Sequence, residues 1–329
     1  MVNVLGFLQS HLPTRNSLTW SISRIVKQNY SDALYKRIVS DFVKALDYSP
    51  PAWRGAEVDI TSTVTYKYLL SEFSAFGSDK WIEAISLLAA TYGELPYPNH
   101  PAEVRLRIAR FTWCLIYIDD LGHRNPSVLE AFQQGVLENY EVGETPLQGF
   151  RDHLADIYNF WDTVPADCIT VGGMEFIIGR LLEINPAIRD MKATTATYSW
   201  PNFLREKTGA PAPFAFMIFP KASNVKISTY IQAIEDMKIV INYSNDLLSF
   251  YKEELDGETD NYIHNRARAT RKPIPETLRD VANEVVAAHY RVTQILQSTD
   301  GELAWKQFAV GNLDLYFSGK RYRLGELGF

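Results

Sequence analysis

Asn245-Asp246-Leu247-Leu248-Ser249-Phe250-Tyr251-Lys252-Glu253 sets an amide, a hydroxyl and a carboxylate at intervals of four residues. On a helix, positions i, i+4 and i+8 drift only slightly around the axis, so the three oxygens share one face. Side chains lean toward the helix N-terminus, which lets the longer Glu253 reach back toward Ser249 and Asn245. One charged and two neutral oxygen donors suit Mg²⁺, which prefers hard oxygens and keeps part of its shell for water and phosphate. The stretch therefore reads as one helical wall of a metal site with a diphosphate on its far side.

A second wall comes from 101–120, a helix predicted from Val104, Ile108, Phe111, Leu115 and Ile118 at alternating spacings of four and three. It is expected to end in Asp119-Asp120-Leu121-Gly122-His123, with Gly122 just past its end. Two carboxylates at a helix C-terminus oppose its partial negative charge and raise each other's pKa, and a bound cation removes both penalties. Alone the Asp pair would read as a solvated helix end. Together with Asn245, Ser249 and Glu253 it reads as a metal site.

Further helices are expected over about 31–46, 57–75, 78–90, 126–139, 147–161, 167–184, 224–254, 275–295 and 300–317. Breaks are placed at Pro96–Pro101, Glu141–Thr145, Pro186–Ser199, Pro211–Pro220 and Glu258–Pro275. There is no run of alternating strands, no fixed-period repeat and no low-complexity segment. The two metal segments lie far apart in sequence, so their helices must pack around a shared cavity. One all-α domain over residues 1–329 is the economical architecture.

The 329 residues are 46% hydrophobic and 13% aromatic, enough for a large core. A net charge of -6 disfavours nucleic acid or anionic membrane as partners, so an anionic ligand needs local cations or metals. Cys114 and Cys168 form no Cys-x-x-Cys pair, Met1–Leu8 makes a poor signal peptide, and no apolar run approaches a membrane span. A cytoplasmic protein without a membrane span is expected.

The words Asp119-Asp120, Asn245–Glu253 and Lys320-Arg321-Tyr322-Arg323-Leu324 resemble the metal and arginine-tyrosine motifs of class I terpene synthases, in particular fungal trichodiene synthase and its relatives. The resemblance runs from about residue 100 to the C-terminus. It implies a helical bundle around a deep apolar cavity and three Mg²⁺ ions on the diphosphate of a prenyl substrate. It also implies a carbocation cyclisation, most simply of farnesyl diphosphate to a C15 terpene. By position, Asp119 and Asp120 match the aspartate motif, and Asn245, Ser249 and Glu253 match the second metal motif. Lys252, Arg205, Arg321 and Tyr322 match groups that contact the diphosphate. Relatives are often dimers, so a homodimer is an expected partner state.

The sequence departs from the pattern in two ways: His123 replaces a later acidic residue, and Leu313, Leu315 and Tyr316 stand where a tryptophan is common. Candidate pocket aromatics near the motifs are Trp113, Tyr117, Phe214, Phe216 and Tyr243, each weighed against an ordinary place in the core. Two other readings compete with cyclisation. A chain-elongating prenyltransferase would carry a second Asp-rich motif, which is absent. A non-catalytic prenyl-diphosphate binder would have lost charges that are all present.

Overall fold

The computed structural model describes residues 31–54, 59–138, 145–192 and 194–329. Met1–Leu8 and most of the expected break at Glu141–Thr145 lie outside them. The longer helices are α1 (Asp32–Ala45), α2 (Val64–Phe73), α3 (Asp79–Glu94), α4 (Ala102–Arg124), α5 (Pro126–Glu138), α6 (Thr145–Phe160) and α7 (Thr163–Ile184). They continue with α8 (Trp200–Gly209), α9 (Pro211–Phe216), α10 (Ile234–Asp256), α11 (Tyr262–Thr270), α12 (Ile274–Leu296) and α13 (Glu302–Ser318). Among the described residues no strand occurs.

The two expected site helices are central. Every residue of α10 from Ser244 to Glu253 is buried, and α10 packs against α9, α12 and α13. Helix α4 is walled by α2, α3, α6 and α7. The apolar periodicity read from the sequence explains why: Val104, Ile108, Phe111, Leu115 and Ile118 are all buried. Burying each large apolar side chain of this kind contributes roughly 1.5–3 kcal/mol.

Several boundaries differ from expectation. Helix α4 does not stop at Asp120 but runs one turn further, to Arg124. Gly122 is therefore inside the helix, where it leaves room for the Arg180 side chain packed against it. The expected helix 57–75 begins at Val64, capped by the Thr63 hydroxyl. The expected helix 224–254 is interrupted before Ile234 by short turns at Ile227–Tyr230 and Ile231–Ala233. Three expected breaks contain helices: a short one at Pro186–Arg189 lies in Pro186–Ser199, α9 lies in Pro211–Pro220, and α11 lies in Glu258–Pro275. Helix α7 runs straight through Gly172, whose missing side chain admits Pro213 of α9. That contact places α9 and its Phe214 next to the site.

Candidate active site

Helix α4 turns Thr112, Ile116 and Asp119, three and four residues apart, toward a narrow chamber of 10 Å³. Leu88 and Tyr92 from α3, Asn245 from α10, and Arg321 and Tyr322 from the C-terminal segment complete its lining. A second chamber, 30 Å³ in volume, shares Tyr92 and Asn245 with the first. Its other walls include Arg205, Gly209, Phe214, Asn242, Phe308, Asn312 and Tyr316. Asp119, Asn245, Arg321 and Tyr322, up to 203 positions apart in sequence, thus meet around one space. The cavity is narrower than the resemblance implies, with Tyr92, Tyr316 and Tyr322 among its walls.

Asp119 and Asp120 are both buried. Arg180 of α7 reaches Asp119 Oδ1 at 3.0 Å and Glu183 at 2.8 Å. Asp120 takes Arg124, one turn on, at 3.3 Å. This arginine ladder supplies the countercharge that two carboxylates near a helix C-terminus require.

On α10, Ser249 Oγ lies 2.6 Å from both the Asn245 carbonyl and Glu253 Oε1. Asn261 Nδ2 donates to the other Glu253 oxygen at 2.9 Å. Burial pushes the Glu253 carboxyl above its ordinary range, while the Ser249 and Lys252 contacts pull it back. Lys252 itself pairs with Asp256 at 3.2 Å and Glu258 at 3.5 Å.

Arg205 is the most heavily engaged cation of the site. Its Nε donates to both Asp246 oxygens at 2.7 and 2.9 Å, and its Nη2 donates to Asn245 Oδ1 at 3.0 Å. Burial works against its charge, but Asp246 more than offsets this, and the pKa rises. Gly209 makes the packing possible, since a Cβ there would overlap both Asn242 Oδ1 and Arg205 Nη1.

The arginine-tyrosine segment sits in a short 3₁₀ turn, Lys320–Tyr322, against this network. Tyr316 and Tyr322 pack edge to face with ring centroids 4.9 Å apart, and Tyr92 lines both chambers beside them. Burial raises the pKa of all three phenols, so they act as neutral hydroxyls.

Of the five aromatic candidates, Phe214 alone lines a chamber. Trp113 and Tyr117 lie on the next face of α4, stacked with Phe73 at 3.5 Å and with each other at 5.6 Å. Phe216 packs on Tyr230, and Tyr243 stacks on Tyr262 at 5.0 Å. Tyr92, Phe308, Asn312 and Tyr316 were missed by sequence reasoning. The signal was present in Phe308, Asn312 and Tyr316, at intervals of four on the helix that leads into the Arg-Tyr turn.

The donor set fits a hard dication. Asp119 and Asn245 share a chamber; Asp120, Ser249, Lys252 and Glu253 line neither chamber, Ser249 and Glu253 lying further along the same buried stretch of helix. Among the described residues no three His, Cys, Asp or Glu side chains converge; what these positions offer is a mixed set of carboxylate, amide and hydroxyl oxygens. Such a site leaves coordination positions for substrate oxygens.

The helical fold is that of the class I terpene synthases. A linalool/nerolidol synthase from Streptomyces clavuligerus superposes with a TM-score of 0.58 at 12% identity, over 79% of this chain and 94% of that one. Aristolochene synthase from Penicillium roqueforti gives 0.51 at 12% identity, over 78% and 93%. At sequence level, a family model described as trichodiene synthase (TRI5) matches residues 91–328. Terpene synthase BipA of Cochliobolus sativus is 33% identical over 235 residues, 69% of this chain and 71% of that one. Longiborneol synthase CLM1 of Gibberella zeae is 30% identical over 250 residues, 74% and 73% of the two chains. The chain belongs to the trichodiene synthase family. It is a terpene cyclase of class I, a carbon–oxygen lyase. Among the described residues no helix is long and apolar enough to cross a membrane.

Proposed function

We propose that this enzyme is a sesquiterpene synthase that takes farnesyl diphosphate, with Mg²⁺, to a cyclised C15 terpene and diphosphate. The observation that carries the reading is the meeting of Asp119, Asn245, Arg321 and Tyr322 around one chamber. Asp119, Asn245, Ser249 and Glu253 would hold the metal, with Asp120 beside them. Bound Mg²⁺ supplies Lewis acidity at the leaving oxygens. Arg205 and Arg321 add fixed positive charge where negative charge develops, and each close pair is worth about 4 kcal/mol at an effective dielectric near 20. Lys252 adds to this field, held back from the chamber by Asp256 and Glu258. Phe214, Phe308 and the neutral tyrosines offer π faces to the cation, at roughly 0.5–2 kcal/mol each, and exclude bulk water. The prenyl-diphosphate class is also supported by a solved Streptomyces clavuligerus linalool/nerolidol synthase in complex with 2-fluorogeranyl diphosphate, TM-score 0.51. We place the enzyme in the cytoplasm, where the free thiols Cys114 and Cys168 stay reduced, and expect a homodimer by analogy with relatives.

The test is incubation with geranyl, farnesyl and geranylgeranyl diphosphates and Mg²⁺, with headspace gas chromatography and diphosphate assay. A C15 volatile from farnesyl diphosphate is expected. Longer prenyl diphosphates would establish elongation instead, and tight binding without turnover of any substrate would establish a binder. Asp119→Asn and Glu253→Gln should each lower turnover at least a hundredfold with an unchanged circular-dichroism spectrum. Near-normal turnover in either would remove that residue from the metal site.

A further inference from the structure

Arg205, Asn242 and Asn312 line the larger chamber, and each has a buried polar atom with no hydrogen-bond partner among the described residues: Nη1, Oδ1 and Nδ2 respectively. All three side chains are more than nine-tenths buried. Leaving a buried donor or acceptor unsatisfied costs about 1–3 kcal/mol, and native structures rarely carry several in one place. Other contacts fix the orientation of the Arg205 and Asn242 side chains. Arg205 is anchored through Nε and Nη2 on Asp246 and Asn245, and Asn242 Nδ2 donates to the Arg205 carbonyl at 3.3 Å. Asn242 Oδ1 and Arg205 Nη1 flank the one point that a Cβ on Gly209 would occupy. The chamber's 30 Å³ exceeds the roughly 10–15 Å³ that a single water needs, and a buried water wants two to four polar partners.

We propose that Arg205, Asn242 and Asn312 bind one ordered water, and that Asn312 keeps this water from attacking the carbocation. The inference rests on the terpene-cyclase reading above. Its argument is a count of lone pairs. Arg205 Nη1 and Asn312 Nδ2 are donors, so each occupies one lone pair of the water oxygen. The water in turn donates one hydrogen to Asn242 Oδ1. Both of its lone pairs are engaged, and a nucleophile needs one free. Nη1 carries two N–H groups, so its second hydrogen stays available to a substrate oxyanion. The water thus lies beside Phe214 and Phe308 without being a reactant, and the product leaves as a hydrocarbon.

Removing the Asn312 donor frees a lone pair. The water oxygen then forms a C–O bond to the carbocation, one O–H bond breaks, and that proton passes to the released diphosphate. The product is a terpene alcohol.

Asn312→Leu keeps the side chain's size and removes the donor. With farnesyl diphosphate in ¹⁸O-water, the ratio of labelled alcohol to hydrocarbon is expected to rise at least tenfold over wild type. A crystal structure of the wild-type protein is expected to show a water within hydrogen-bonding distance of all three atoms. Wild type releasing mainly alcohol, or an unchanged ratio in Asn312→Leu while diphosphate is still released, overturns the proposal. So does density showing the three side chains bonded to other protein groups with no water between them. Should Asn312→Leu not fold, Asn312→Ala carries the same expectation. If no prenyl diphosphate is turned over at all, the functional reading fails, and the crystallographic water alone decides this one.

Discussion

Arg180 crosses from α7 to hold Asp119 Oδ1 at 3.0 Å, on the same carboxylate assigned to the metal. A guanidinium and a metal compete for that oxygen, while the Arg180–Glu183 contact at 2.8 Å offers the arginine a second partner. Arg180→Met should therefore cost about 3 kcal/mol of stability, because it strands a buried carboxylate. Saturating Mg²⁺ and diphosphate should recover most of that loss. Urea midpoints measured with and without the two ligands check this, and an equal deficit in both would sink it. Gly209→Ala is expected to lower kcat/KM at least tenfold with a nearly unchanged far-ultraviolet spectrum, since a Cβ there displaces Arg205 Nη1 and Asn242 Oδ1. Wild-type kcat/KM in that variant would show that the packing around Arg205 is dispensable. At this scale the sequence speaks through chemistry: Asp119, Asn245, Ser249 and Glu253 announce themselves by residue type and spacing. Their partners do not. Arg180 for Asp119 and Asp246 for Arg205 are pairings across 61 and 41 positions, which no local period encodes.

At the scale of elements, the strongest apolar periods gave helices where expected, and errors cluster where polar contacts decide the ends. Helix α4 outruns Asp120 because Arg124, one turn on, pairs with that carboxylate and suits the negative end of the helix dipole. Helix α11 hides in a polar sequence, Tyr-Ile-His-Asn-Arg-Ala-Arg-Ala-Thr, with only Tyr262, Ile263, Ala267 and Ala269 buried. Its visible marks were the Asn261 cap, which accepts from the His264 amide at 3.0 Å, and Pro273 beyond its end. The Lys320–Tyr322 turn is a weaker element, packed on the bundle by the edge-to-face contact of Tyr322 with Tyr316, ring centroids 4.9 Å apart. If diphosphate draws Arg321 inward, Mg²⁺ and diphosphate should slow tryptic cleavage at Lys320 and Arg321 several-fold. Tyr322→Ala, which removes the contact with Tyr316, should lose most of that protection. Cleavage at one rate with and without ligand would count against a closing role for the turn.

For the whole molecule, the all-helical class was legible because apolar positions repeat at three and four along most of the chain. The narrowness of the cavity was not, because it depends on how Tyr92, Tyr316 and Tyr322 meet from three separate segments. Global stability carries a further signature, set by His153 in the core between α4 and α6. This side chain is fully buried, with its Nδ1 3.4 Å from Arg110 Nη1. Burial, then the positive charge of Arg110, lower its pKa from 6.5 to about 3; Asp156 pulls the other way, and Arg107 adds to the lowering. Between those two values the unfolded chain binds a proton that the folded chain refuses. Stability from this group is therefore complete above pH 6.5 and falls as the pH drops toward 3, by roughly 1.4 kcal/mol for each pH unit. His153→Gln keeps a polar side chain of similar size and removes the titration. Its urea-unfolding free energy should decline less steeply than wild type between pH 6.5 and pH 4, by about one proton's worth of slope. Parallel curves for the two proteins would mean that His153 takes up its proton in the fold, and that acid sensitivity arises elsewhere.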